Sequence, residues 1–121
     1  MRDSSHTIIK LNIILNNIMK RVNHKTLEIK TKECLIENGA NEFSAESVSK
    51  GLVETSLRGV DSHGIRLLPH YVNALKNGRI NGNPKLEVIN TFPAFIGLDA
   101  DNGFGHAAGF KSIEIGMDLA K

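Results

Sequence analysis

The chain has 121 residues, of which 40% are apolar and 23% charged, and its net charge is +2. That length suits one small domain or part of a larger one, able to bury roughly two-thirds of its unfolded surface. The scattered charge offers no basic stripe for nucleic acid. The single cysteine, Cys34, excludes an internal disulfide and has no partners for a metal, so it reads as a packing residue in a reducing compartment, the cytoplasm.

Residues 1–25 read as a weakly ordered N-terminal extension, and the first 18 could lie upstream of a start at Met19. Ile8 to Met19 is rich in isoleucine and asparagine, but Lys10, Asn12, Asn16 and Asn17 interrupt every apolar run. Neither a signal peptide nor a membrane span, which needs about 20 apolar residues in a row, is visible.

From Thr26, taken as a cap, Leu27, Thr31, Cys34 and Leu35 share one helical face, and Gly39 stops the helix predicted at about 27–38. The next helix has Ser44 as its expected N-cap and Phe43 stapling onto Val48. Its buried face is Ala45, Val48, Leu52 and Thr55, and Gly59 ends it. Ile65, Leu68, Val72 and Leu75 give a third helical pattern ending at Gly78. Pro69 makes Ser62 to Leu67 either a first turn before a kink or a separate short turn.

Asn81-Gly82-Asn83-Pro84 reads as a turn, and Leu86 to Thr91 and Ala94 to Leu98 as short strands joined at Pro93. Asp99 to Gly105 is a tight loop, and helical spacing returns over Ala107 to Ala120 through Phe110, Ile113, Met117 and Ala120. The expected fold class is mixed α/β: N-terminal helices, then short strands and a C-terminal helix. With no further strand for that helix to cross back to, it reads as an incomplete domain.

Chemistry concentrates in Asp61-Ser62-His63-Gly64, which sets a carboxylate, a hydroxyl and an imidazole within three residues. Histidine is the side chain that titrates near neutral pH with least perturbation, as a proton donor to a carbonyl must. If Ser62 caps a turn, the positive helix end favours the neutral ring while Asp61 favours imidazolium, and the sequence leaves that balance open. Gly59 and Gly64 allow positive φ or close approach to a ligand. The plainer alternative is that Asp-Ser only caps a helix beside a surface histidine. His6, His24, His70 and His106 read as structural, although His70 would share a face with His63 in one continuous helix.

Leu52 to Ile65, with Arg58-Gly59-Val60-Asp61-Ser62-His63-Gly64-Ile65 at its heart, then Pro69-His70-Tyr71-Val72, Gly78-Arg79-Ile80-Asn81 and Leu98 to Gly105, together resemble the N-terminal part of the type 2 malate/L-lactate dehydrogenases. The resemblance runs from about Thr26 to Lys121. It implies an NAD(P)-dependent oxidoreductase that interconverts small 2-hydroxy and 2-oxo acids by hydride transfer, homodimeric when full length, with a fold unlike the doubly wound Rossmann type. On that pattern His63 is the proton donor and acceptor and Ser62 its relay partner. Many relatives carry arginine four residues after the histidine. Here Leu67 stands there, which leaves Arg66 as the expected substrate-carboxylate binder, with Arg58 or Arg79 as substitutes. The family's later Asn-Ser-x-His-like segment and most of its cofactor-binding region are missing, so 26–121 reads as a truncated N-terminal portion.

Gly103-Phe104-Gly105-His106-Ala107-Ala108 formally fits a dinucleotide fingerprint. That fingerprint needs an acidic residue on a second strand roughly 20 residues on, so the segment reads instead as a tight turn with Asp99 and Asp101 as turn and capping residues. Two other readings stand beside the enzyme portion: an inactive helical domain that self-associates or pairs with a full-length relative, and a small-molecule binding module built on the Gly103 loop.

Overall fold

The structure, a computed structural model, describes residues 21–121. The expectations for a weakly ordered segment and a start at Met19 fall largely outside that range. Helix α1 spans His24–Glu37, beginning ahead of the predicted position. Its cap is Asn23 rather than Thr26, because the Asn23 Oδ1 accepts from the N–H groups of Lys25 and Thr26 at 3.0 and 3.1 Å. Thr31 and Leu35 are buried on the anticipated face.

Helix α2 spans Glu42–Leu57, and its cap is Asn41, not Ser44. The Asn41 Oδ1 accepts from the Ser44 N–H at 2.8 Å, which places Ser44 in the first turn with its hydroxyl buried and, among the described residues, without a partner. The staple shifts in step: Ala40 and Ala45 flank this cap and are buried, whereas Phe43 is exposed.

After Leu57 come two short 3-10 turns, Asp61–His63 and Ile65–Leu67, and then α3, Leu68–Lys76, with Pro69 in its first turn. Proline has no N–H to offer an intrahelical bond there, so it starts a helix instead of kinking one. Strands β1 (Glu87–Phe92) and β2 (Phe95–Asp99) form an antiparallel hairpin across Pro93-Ala94, with Phe92 opposite Phe95 and an irregularity at Ile89. Helix α4 is Gly105–Leu119.

Helices α1, α2 and α3 end the same way. At α2, the Val60 N–H donates to the Thr55 carbonyl at 3.2 Å and the Gly59 N–H to the Ser56 carbonyl at 2.9 Å. Gly59 has φ +83°. This is the Schellman arrangement, whose left-handed position costs a residue with a Cβ about 1–2 kcal/mol.

The core gathers Leu35, Ala45, Val48, Leu52, Phe104 and Ala107, with Leu67, Leu68, Tyr71, Val72, Leu75, Ile80 and Leu86 packed against it. The loop after α3 is tacked down at both ends. The Asn41 N–H donates to the Gly82 carbonyl at 2.6 Å, and Asp101 Oδ2 accepts from Asn81 Nδ2 and the Lys85 N–H, each at 3.0 Å. Helix α4 departs from its sequence pattern in sense. Its large apolar residues Phe110, Ile113 and Met117 face outward, with Ile113 65% and Met117 61% exposed, and Ala107 is its buried residue.

Candidate functional site

The Asp61-Ser62-His63-Gly64 segment is built on the end of α2. After the Schellman turn reverses the chain, His63 N–H donates to the Val60 carbonyl and Gly64 N–H to the Asp61 carbonyl, both at 3.1 Å. Gly64 is buried against α2, where an added Cβ would lie 2.2 Å from Ser56 Oγ and 2.9 Å from the Ser56 nitrogen. The close approach anticipated for Gly64 is therefore to the helix, not to a ligand, and its φ is −103°. The Ile65 N–H then donates to Ser56 Oγ at 2.9 Å.

On this base Ser62 and His63 are exposed, and Ser62 Oγ lies 3.0 Å from His63 Nδ1. A hydroxyl at that distance fixes the ring's orientation and, by donating or accepting, its tautomer. His63 Nε2 has no partner among the described residues. Neither Asp61 nor Ser62 caps the turn, because Val60 holds the cap position and its apolar side chain makes no capping hydrogen bond.

Of the candidate arginines, Arg66 is exposed in the second 3-10 turn, while Leu67 packs onto the core. Arg58 pairs with Glu54 at 3.7 Å on the α2 surface. Arg79 is exposed, and its carbonyl accepts from Asn102 Nδ2 at 3.0 Å. The continuous helix that would align His70 with His63 does not form, because the two 3-10 turns intervene; His70 instead lies beside Tyr71.

His106 is one of the four histidines that read as structural in the sequence, and its surroundings are those of a packed ring. It fills the space that Gly51 leaves on α2, where a Cβ would lie 2.5 Å from the imidazole, and it meets Tyr71 edge-on at 5.8 Å. Burial lowers its pKa from the ordinary 6.5. With Tyr71, Ile80 and Phe104 it borders an open cleft of about 350 Å³.

The Gly103 loop is a tight turn, as expected: Asp101 and Asn102 have φ +48° and +54°, and Gly103 N–H donates to the Ala100 carbonyl at 2.8 Å. A Cβ on Gly103 would strike Pro84 at 2.6 Å. The room that Gly103 provides is thus taken by this chain's own proline, whereas a Cβ on Gly105 would meet nothing within 4 Å. The described residues contain no group of three or more metal-ligating side chains.

Fold and turn together define a mixed helix-and-hairpin unit that carries a hydrogen-bonded serine–histidine pair on a surface anchored to a helix end. Residues 22–121 match the malate/L-lactate dehydrogenase family along their whole length, and the chain belongs to that family. It is 37% identical over 87 residues to a malate dehydrogenase of Pyrococcus horikoshii, covering 72% of this chain and 24% of that protein. It is 36% identical over 104 residues to an L-sulfolactate dehydrogenase of Methanocaldococcus jannaschii, covering 86% of this chain and 29% of the relative. The solved structure of malate dehydrogenase from Pyrococcus horikoshii OT3 superposes with a TM-score of 0.79 at 34% identity, over 84% of this chain and 29% of that one. The chain therefore spans about a quarter of the length of the relatives it matches.

Proposed function

We propose that this chain supplies the proton-transfer side of an oxidoreductase acting on small 2-hydroxy and 2-oxo acids. His63 gives a proton to, or takes it from, the substrate oxygen, Ser62 orients the ring, and Arg66 grips the substrate carboxylate. The observation that carries the reading is the 3.0 Å contact between Ser62 Oγ and His63 Nδ1, on a turn that leaves the imidazole exposed. Reduction of a carbonyl builds negative charge on its oxygen, and a positioned acid of near-neutral pKa neutralises it.

In this reading the hydride partner is a nicotinamide cofactor, NAD or NADP, assigned to the oxidoreductase as a whole. On this reading the chain's own part is proton exchange and carboxylate binding. A reducing, cytoplasmic setting suits the free thiol of Cys34.

The test is complementation. Alone, the chain with NADH or NADPH and a panel of 2-oxo acids is expected to be silent. Mixed with the part of the Pyrococcus horikoshii malate dehydrogenase beyond the matched segment, it should turn over, and His63→Ala should lower kcat by about 10²–10⁴-fold, the usual contribution of a general acid. Undiminished turnover in His63→Ala would remove the assignment. Activity of the chain alone that is lost in His63→Ala would keep the residue and discard the need for a complement.

A second reading is favoured by the exposed apolar residues of α4 and the hairpin: a catalytically inactive domain that self-associates or pairs with a full-length relative. Sedimentation as a compact monomer, with a cooperative melt, would count against it.

A further inference from the structure

We infer that Ser56 is a positioning residue for His63. The inference rests on the reading of His63 as the proton carrier, but its geometry stands apart from that reading. Among the described residues, the bond from the Ile65 N–H to Ser56 Oγ, 2.9 Å, is the one hydrogen bond between residues 61–67 and the body of α2. The other backbone bonds of that segment stay within it or reach to its neighbours Val60 and Leu68.

The contact leaves little slack. Gly64 is buried, and the peptide joining it to Ile65 lies so close to α2 that a Cβ would fall 2.2 Å from Ser56 Oγ and 3.0 Å from the Leu52 carbonyl oxygen. Ser56 thus does two things: its small side chain lets the peptide reach the helix, and its oxygen satisfies a part-buried N–H that would otherwise have no partner. Without the acceptor, the Gly64–Ile65 peptide must lift to find water. His63, one residue before Gly64, lifts with it. Proton transfer demands hydrogen-bond reach, and a displacement of about 1 Å is enough to cost on the order of 10²-fold in rate.

The helix itself does not require this hydroxyl. The bonds that end α2 use the carbonyls of Thr55 and Ser56, and a side-chain change leaves both in place. Ser56 is therefore separable from the stability of the helix it sits on.

The experiment is amide exchange and imidazole NMR on the full 121-residue chain. In the unaltered chain the Ile65 amide should exchange at least tenfold more slowly than an unprotected amide. In Ser56→Ala it should lose that protection and the His63 ring resonances should shift, while the Leu52 and Val53 amides keep theirs. An unprotected Ile65 amide in the unaltered chain would overturn the inference, and this measurement stands even if Ser56→Ala fails to fold. Unchanged His63 resonances in a folded Ser56→Ala would also overturn it. Should the NMR behave as expected while His63→Ala leaves turnover intact in the complemented assay, the anchoring stands and the proton-transfer reading falls.

Discussion

Helices α2 and α4 pack against each other, are nearly equal in length at 16 and 15 residues, and use their apolar residues in opposite ways. Helix α2 turns Ala45, Val48, Leu52 and Val53 inward to complete burial or nearly so. Helix α4 buries Ala107 and presents Phe110, Ile113 and Met117 outward. Helical spacing identifies an apolar stripe, but the stripe carries no label for what it faces. In α2 that partner is the core of this chain; in α4 the stripe is left exposed by the described residues.

The largest expected effect lies on the α2 side. Leu52→Ala removes a fully buried side chain from the centre of the core and should cost about 2–5 kcal/mol, which a chemical denaturation midpoint would register. A loss below about 1 kcal/mol would mean that this core is not the one that holds the fold.

A smaller effect sits where the two helices meet. Because burial lowers the His106 pKa, the unfolded chain binds more protons than the folded chain once the pH drops past 6.5. Stability is complete above that value, falls as the pH is lowered through it, and levels off below the folded-state pKa. His106→Gln should flatten that decline in melting temperature between about pH 7 and pH 5.

The smallest effect on stability belongs to the outer face of α4. Ile113→Gln should change the unfolding free energy by no more than about 0.5 kcal/mol, as for an ordinary surface position. It should nonetheless lower self-association in sedimentation, because the side chain it replaces is 65% exposed on an apolar face. A large loss of stability would show that α4 buries this face within the chain after all.

How much could be read from residues alone follows the same division. The stripes of α1 and α2, the stops at Gly39, Gly59 and Gly78, the turn at Asp101-Asn102 and the hairpin across Pro93 all rest on local chemistry, and local chemistry is what a sequence displays. Both caps lie three residues ahead of the expected ones because Thr26 and Ser44 are good cap types, and only the backbone path shows that Asn23 and Asn41 hold the positions. The burial of Ile113 depends on what stands opposite it, which periodicity does not encode. At the site, the residue types of Ser62 and His63 were evident. The hold of Ser56 on Ile65, nine residues away, was not, since a serine near a helix end has many uses.

The turn that carries His63 is closed by bonds that reach no farther than nine residues along the chain. Closing so short a loop forfeits little chain entropy, and contacts of low sequence separation form early and fast. The imidazole can therefore reach its final orientation while the hairpin and α4 are still finding their places. In kinetic terms the candidate acid–base turn is expected to be an early product of folding, an order that pulse-labelled exchange at the Ile65 amide would check.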